Sequence, residues 1–113
     1  MIGNECGWKF TNLNRDYTLC DTYPSLLVVP SAASDDLIKQ EAGCRSRKRF
    51  PVLCWRDVYE GVSITRCSQP CTGFTGKAFE LDQEYIKLIR ATNKVNPDIL
   101  YILVNIQIIQ IHI

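Results

Sequence analysis

Six cysteines carry most of the reactive chemistry in this sequence, and they stand at positions 6, 20, 44, 54, 67 and 71. A cysteine that attacks phosphorus needs an arginine six residues later, because loop amides and the guanidinium fork hold the phosphoryl oxygens. None of the six cysteines has arginine there, and the nearest approach is Cys71 with Lys77. A lysine ammonium cannot supply a planar bidentate fork. The sequence therefore predicts no catalytic residue in this stretch.

The patterns for an acyl-transfer triad, a metal site and a nucleotide site are also missing. His112 is the only histidine, which leaves no suitable base for a Ser/His/Asp arrangement. Zinc needs about four nitrogen or sulfur ligands, and the pair Cys67 and Cys71 has no Cys-x2-Cys companion. Gly73 and Gly76 are too close together for a phosphate-binding loop. We predict no metal and no cofactor.

A basic cluster runs from Arg45 to Arg49 and places four positive charges in five residues. Its cations are Arg45, Arg47, Lys48 and Arg49. One interpretation is a contact for phosphate groups or for an anionic membrane, since arginine can bind phosphate through two parallel hydrogen bonds. The other is a solvated connection between a helix and a strand, with the arginines paired to carboxylates. The sequence leaves both interpretations open.

Composition bounds the class of protein. The chain has 113 residues, of which 46% are hydrophobic and 22% charged, and its formal net charge is +1. This length corresponds to one small domain or a piece of a larger one, and the apolar fraction excludes intrinsic disorder. The small net charge excludes a globally basic nucleic-acid-binding protein, so we expect no nucleic-acid partner.

The N-terminus and the cysteines indicate a compartment. Residues 1–10 contain no apolar core of a signal peptide, so the sequence predicts no secretory leader. An even number of cysteines would suggest disulfides in a secreted chain. Without a leader, and with a hydrophobic core available, we expect free thiols in a reducing cytosol.

The first half of the chain predicts two strands and a helix. Trp8 and Phe10 alternate with polar residues and indicate a short strand. The apolar run Leu26–Val29 lies between two prolines and predicts a buried strand, since proline is tolerated only at strand ends. Ser34 is expected to cap a helix, and Gly43 is expected to end it.

The second half predicts a hairpin and a second helix. Residues 50–56 and 62–67 read as strands joined by a loop at 57–61. Asp82 is expected to cap the following helix, and Asn96-Pro97 to end it. The helical spacing places one set of residues on a common face: Tyr85, Leu88, Ile89 and Thr92.

Residues 99–113 form an unusual segment after Asp98, the last charged residue. They are too few and too polar to span a membrane, and their β-branched content predicts a strand. We interpret residues 104–113 as a foreign apolar tail, since natural strands are usually flanked by charged residues. The complete order β–β–α–β–β–α–β predicts the α/β class, with a mixed sheet covered by two helices.

Several stretches form an ordered set: Gly7–Asn12, Asp16–Pro30, Arg45–Trp55, Ile64–Pro70, then Gly73 with Gly76-Lys77, and Asp82–Tyr85. The third reads Arg-Ser-Arg-Lys-Arg-Phe-Pro-Val-Leu-Cys-Trp. It is similar to the Arg-Ser-Arg-x-Arg-x-Pro-Val-Leu-Ser-Trp of the myotubularin family of phosphoinositide phosphatases. In order and spacing, the whole set resembles the first part of the phosphatase domain of that family, from residue 8 to about residue 103.

The resemblance implies a partial cysteine-phosphatase-like domain. Members of the family remove the 3-phosphate from phosphatidylinositol 3-phosphate and 3,5-bisphosphate with a Cys-x5-Arg loop. It further implies a cytoplasmic location peripheral to endosomal-type membranes, phosphoinositide membranes as partners, and family homo- or hetero-oligomers. The family loop follows the matched part, so the resemblance places no catalytic residue here.

Two positions depart from the family, which usually has Phe where this chain has Cys44 and Ser where it has Cys54. We expect residues 1–103 to be the N-terminal portion of a myotubularin-type phosphatase domain, and 104–113 to be the foreign tail. The expected function is that of a phosphatase fragment without the catalytic loop, inactive alone. The alternative is a non-catalytic, pseudophosphatase-like interaction or scaffold protein.

Overall fold

Six strands and two helices make up the computed structural model, which describes residues 7–57, 59, 61–71, 73, 75–93, 101–104 and 109–112. In chain order they are β1 (Trp8–Thr11), β2 (Leu27–Pro30), α1 (Asp35–Cys44), β3 (Val52–Arg56), β4 (Ser63–Arg66), α2 (Gly76–Ala91), β5 (Tyr101–Val104) and β6 (Ile109–His112). A short 3₁₀ turn, Ser46–Lys48, follows α1. This composition confirms the predicted α/β class with two helices.

The strands are divided between two sheets, whereas the sequence predicted one mixed sheet. β1 and β2 form a two-stranded antiparallel sheet, and the other four strands lie in the order β3-β4-β6-β5. Every strand pair of the second sheet is antiparallel as well. The order of elements along the chain does not reveal this division, because β2 and β3 lie close together without sharing backbone hydrogen bonds.

The connection between β1 and β2 is organised by the buried side chain of Asn14. Its amide nitrogen donates hydrogen bonds to the carbonyls of Cys20 and Pro24, at 2.9 and 2.8 Å, and to that of Tyr23 at 3.3 Å. Its oxygen accepts from the Cys20 amide at 2.8 Å. One side chain thereby satisfies backbone groups that a loop of this kind would otherwise leave unpaired.

Helix α1 begins as predicted and ends later than predicted. The Ser34 hydroxyl accepts a hydrogen bond from the Leu37 amide at 3.1 Å, so Ser34 is the N-cap. The prediction that Gly43 ends the helix is wrong, because the helix continues to Cys44. Its end is set by Arg45, whose extended backbone forms an antiparallel bridge with Pro70.

Helix α2 begins at Gly76, so the prediction that Asp82 caps it is wrong. Asp82 lies inside the helix and is buried. The predicted apolar face is confirmed: Tyr85, Ile89 and Thr92 are buried, and Leu88 is partly buried against the core. The predicted stop at Asn96-Pro97 falls outside the described residues.

Three aromatic rings join α2 and the segment before β2 to the start of β3. The Phe50 ring lies 6.0 Å from that of Tyr23 and 6.2 Å from that of Tyr85, measured between centroids. The Tyr23 hydroxyl donates to the Phe50 carbonyl at 2.9 Å, and the Tyr85 hydroxyl donates to the Pro51 carbonyl at 2.7 Å. These bonds allow both phenols to be buried, as polar groups inside a core require a partner.

The C-terminal segment holds two strands where the sequence predicted one. β6 pairs with β4 on one side and with β5 on the other. The prediction that residues 104–113 are foreign to the domain stays a prediction. Within the described part of the chain, neither helix is long and apolar enough to cross a bilayer.

Candidate functional site

The structure separates the basic cluster into a buried residue and an exposed group. Arg45 is only 4% exposed, so it does not contribute to a surface contact with phosphate or membrane, contrary to one interpretation of the sequence. Arg47 and Lys48 are exposed, and Arg49 is half-buried. Arg49 donates from Nε to the Thr22 hydroxyl at 2.9 Å. The surface that remains for anions consists of Arg47, Lys48 and Arg49.

The Arg45 guanidinium binds two distant parts of the chain. Its Nη2 and Nε donate to Asp82 Oδ1 of α2, at 2.6 and 3.0 Å. Its Nη1 donates to the Ser68 carbonyl at 3.1 Å and lies 3.6 Å from Cys67 Sγ, both beyond the end of β4. Arg45 itself follows α1, so one guanidinium connects both helices to the end of the β3–β4 hairpin.

Glu41 completes this cluster from one turn earlier in α1. Its Oε2 lies 3.6 Å from Arg45 Nε, and the residue is 0% exposed. Neither carboxyl oxygen has a hydrogen-bond partner within the described part of the chain. Burial, with the nearby Asp82 charge, raises the pKa of Glu41 from its ordinary 4.5 to about 10, against the opposing effect of Arg45. Glu41 is therefore protonated at neutral pH, and Asp82 supplies the counter-charge for Arg45.

Cys67 is a buried member of this cluster and contacts Arg45 through its sulfur atom. Its thiol is 2% exposed, and burial raises its pKa to about 12, although Arg45 acts in the opposite direction. Since the thiolate is the nucleophilic form of cysteine and the Cys67 thiol is shielded from solvent, Cys67 is not accessible to reagents in the folded chain.

The exposed cations Arg47 and Lys48 lie in the 3₁₀ turn Ser46–Lys48, which directly follows the buried Arg45. Arg47 and Lys48 have φ values of 57° and 60°, a left-handed conformation that non-glycine residues seldom adopt. The turn is held from below by Ser68, whose amide donates to the Arg49 carbonyl at 2.9 Å and whose hydroxyl donates to the Ser46 carbonyl. The same loop that receives Arg45 thus fixes the exposed turn.

An open cavity of about 360 Å³ lies beside this turn. Its lining comprises Tyr17, Thr18, Leu19, Asp21, Arg47 and Lys48. The two cations could bind a phosphate group, and the hydroxyls and the Asp21 carboxylate could bind hydroxyl groups. Tyr17 also has a positive φ, of 61°, so all three described non-glycine residues in that conformation line this cavity.

Sequence reasoning missed the two acidic partners of Arg45. The spacing of Glu41 and Arg45, one helical turn apart, is a signal that could have identified the first pair. Asp82 follows Arg45 by 37 positions, and no local pattern links them. Its position near the start of a helix favoured the wrong interpretation as a cap.

Substitutions at the two carboxyl groups should differ sharply in effect. We expect Asp82→Asn to lower the free energy of unfolding by about 3–5 kcal/mol, because it leaves the buried Arg45 without its counter-charge. Glu41→Gln should leave the free energy of unfolding unchanged or raise it at neutral pH, since glutamine folds without the proton uptake that the burial of Glu41 requires. Urea unfolding at neutral pH measures both values.

The pH dependence of unfolding provides the control for this assignment. Folded Glu41 keeps its proton up to about pH 10, whereas an unfolded glutamate loses it near its ordinary pKa of 4.5. The folded state therefore binds more protons in this window, and its stability falls as the pH rises. Glu41→Gln should flatten this decline between about pH 5 and pH 9. Equal slopes in both proteins would show that Glu41 is ionised when folded.

Comparison with known proteins assigns this architecture to a family. Residues 2–109 match the family model of the Myotubularin-like phosphatase domain. The chain is 50% identical over 86 residues to Myotubularin of Xenopus laevis and 49% identical over 87 residues to Myotubularin of Rattus norvegicus. These matches cover 76% and 77% of this chain and 14% of each relative.

A third relative carries a more specific description. The chain is 45% identical over 98 residues to phosphatidylinositol-3,5-bisphosphate 3-phosphatase MTMR2 of Pongo abelii, which covers 87% of this chain and 15% of that protein. The chain thus spans about one seventh of the length of the relatives it matches. By the extent of the domain match and the identity to these proteins, the chain belongs to the myotubularin family of phosphatases.

Proposed function

We propose that these residues are the N-terminal portion of a phosphoinositide 3-phosphatase domain that acts on phosphatidylinositol 3-phosphate and 3,5-bisphosphate. The observation that carries the proposal is the 45% identity over 98 residues to a phosphatidylinositol-3,5-bisphosphate 3-phosphatase. The 113-residue sequence contains no Cys-x5-Arg pattern. The catalytic cysteine and arginine would therefore be supplied by other residues of the domain.

In this proposal the described residues act as a support for the catalytic part. The Arg45–Asp82 pair fixes α1, α2 and the end of the β3–β4 hairpin in one arrangement. Arg47, Lys48 and Arg49 face outward from the turn above it. Each cation near an anionic leaflet contributes about 1 kcal/mol, so the turn would favour a location peripheral to cytoplasmic, endosomal-type membranes.

A non-catalytic interaction or scaffold role is the second candidate. It is favoured by one observation, that the sequence contains no cysteine followed six residues later by arginine. Cys71 comes nearest, with Lys77, and its Sγ lies 3.8 Å from the Gly43 carbonyl. Family homo- or hetero-oligomers would be the natural partners in that role.

The first expected outcome is that the purified chain releases no phosphate from short-chain phosphatidylinositol 3-phosphate. Without a nucleophile and a guanidinium fork, the transition state loses both its bond-forming group and its electrostatic support. Malachite-green detection of phosphate measures the release. Release that is abolished in Cys71→Ser would contradict the assignment, because it would show a nucleophile within the chain.

A chimeric enzyme separates the two candidate functions. Residues 7–93 of this chain would replace the aligned segment of MTMR2, and the chimera would be compared with the same chimera carrying Asp82→Asn. If this segment supports the catalytic part, the chimera should have 3-phosphatase activity. The chimera with Asp82→Asn should lose both stability and activity. A chimera that folds cooperatively but hydrolyses no substrate would favour the scaffold role.

Vesicle binding tests the exposed cations. We expect the charge reversal Arg47→Glu/Lys48→Glu to weaken binding to phosphatidylserine vesicles by at least tenfold, because four units of charge change next to an anionic surface. The matched control is Lys39→Glu/Lys87→Glu, which makes the same change at exposed positions of the two helices. Binding should also decrease with added salt. Equal losses in both double variants would show that the turn makes no specific contact.

A further inference from the structure

Two cysteines from distant parts of the sequence lie opposite each other at the junction of the helices. The Cys71 amide donates a hydrogen bond to the Cys44 carbonyl at 3.0 Å. Next to them, Arg45 and Pro70 form an antiparallel bridge, and the Ser46 amide donates to the Gln69 carbonyl at 2.9 Å. Residues opposed in this way have Cα atoms about 4.5–5.5 Å apart, within the range that a disulfide spans.

Both sulfur atoms lie near the end of α1, and that of Cys44 also lies near the start of α2. Cys44 Sγ lies 3.3 Å from the Gln40 carbonyl and 3.6 Å from the Ala78 carbonyl. Cys71 Sγ lies 3.8 Å from the carbonyl of Gly43, the residue that precedes Cys44. Burial chiefly raises the pKa of the Cys44 thiol, with smaller effects in the same direction from Glu41, Asp82 and Cys71.

We propose that Cys44 and Cys71 are a redox modification site, at which a peroxide converts the two thiols into a reversible disulfide. The Cys71 thiolate attacks one oxygen of the peroxide, which gives a sulfenic acid and releases water once a proton is taken up. The Cys44 sulfur then attacks the Cys71 sulfur, and the sulfenic oxygen leaves as a second water. The two thiols lose two electrons and two protons in total, and hydrogen peroxide becomes two waters.

Within the pair, the difference in exposure identifies Cys71 as the residue that meets the oxidant. Cys71 is partly exposed, whereas Cys44 is 5% exposed. Cys20 and Cys67 are 1% and 2% exposed, which protects them from peroxide in the folded chain. Cys54 is exposed on β3 and provides a matched control, because peroxide can reach it without the opposed backbone of the proposed pair.

The disulfide would reinforce the junction that Arg45 already holds. Cys44 and Cys71 are the immediate neighbours of Arg45 and Pro70, the two bridged residues. A covalent link there would join the end of α1 to the loop before α2 and restrict the unfolded chain. The oxidised protein should therefore have a higher unfolding temperature than the reduced protein.

Peptide mapping of the folded 113-residue chain after hydrogen peroxide treatment tests the proposal directly. We expect the intact protein to lose the mass of two hydrogen atoms. The digest should contain a cross-linked peptide pair with Cys44 and Cys71, and dithiothreitol should reverse the link fully. The link should persist in Cys54→Ser and disappear in Cys44→Ala and Cys71→Ser. Circular dichroism identifies any variant that fails to fold.

The wild-type peptide map decides the outcome even where a variant is unstable. A link through Cys54, or overoxidation of Cys71 to a sulfinic acid while Cys44 remains a thiol, would overturn the proposal. An unfolding temperature that is unchanged or lower in the linked protein would overturn the inferred reinforcement of the junction.

Discussion

The buried ion pair between Arg45 and Asp82 is the interaction on which the rest of this structure depends. A guanidinium that is 4% exposed must have its charge compensated, and Asp82 accepts two of its hydrogen bonds on one oxygen. Satisfying Arg45 fixes where α2 crosses α1 and where the chain runs after β4, through the Ser68 carbonyl. Glu41 joins the cluster as a neutral carboxylic acid, so the negative charge of Asp82 balances the positive charge of Arg45.

This buried cluster explains how the exposed basic turn is formed. Arg45 points inward while its neighbours Arg47 and Lys48 take left-handed conformations and point their charges toward solvent. A contiguous basic sequence is thereby divided between internal support and surface electrostatics. In the proposed phosphatase domain, the same short segment would stabilise the fold that carries the catalytic loop and present cations to an anionic lipid surface.

Local patterns predicted much of this fold, and long-range contacts account for what they missed. The Ser34 cap and the apolar face around Tyr85 follow from spacing within one helix, and both are confirmed. Gly43 was wrongly expected to end α1, because the actual end depends on pairing with the distant Pro70. The burial of Arg45 could not be predicted either, since its partner Asp82 comes from another helix and resembles an ordinary cap in sequence.

A double-mutant cycle on Arg45 and Asp82 tests the central claim most directly. We expect Arg45→Met and Asp82→Leu each to lower the free energy of unfolding by about 3–5 kcal/mol, because each leaves one buried charge unpaired. The double variant should lose much less than the sum, with a coupling energy above about 2 kcal/mol, since it leaves neither charge. Effects that add to within about 0.5 kcal/mol would show that the two residues act independently and would contradict this account.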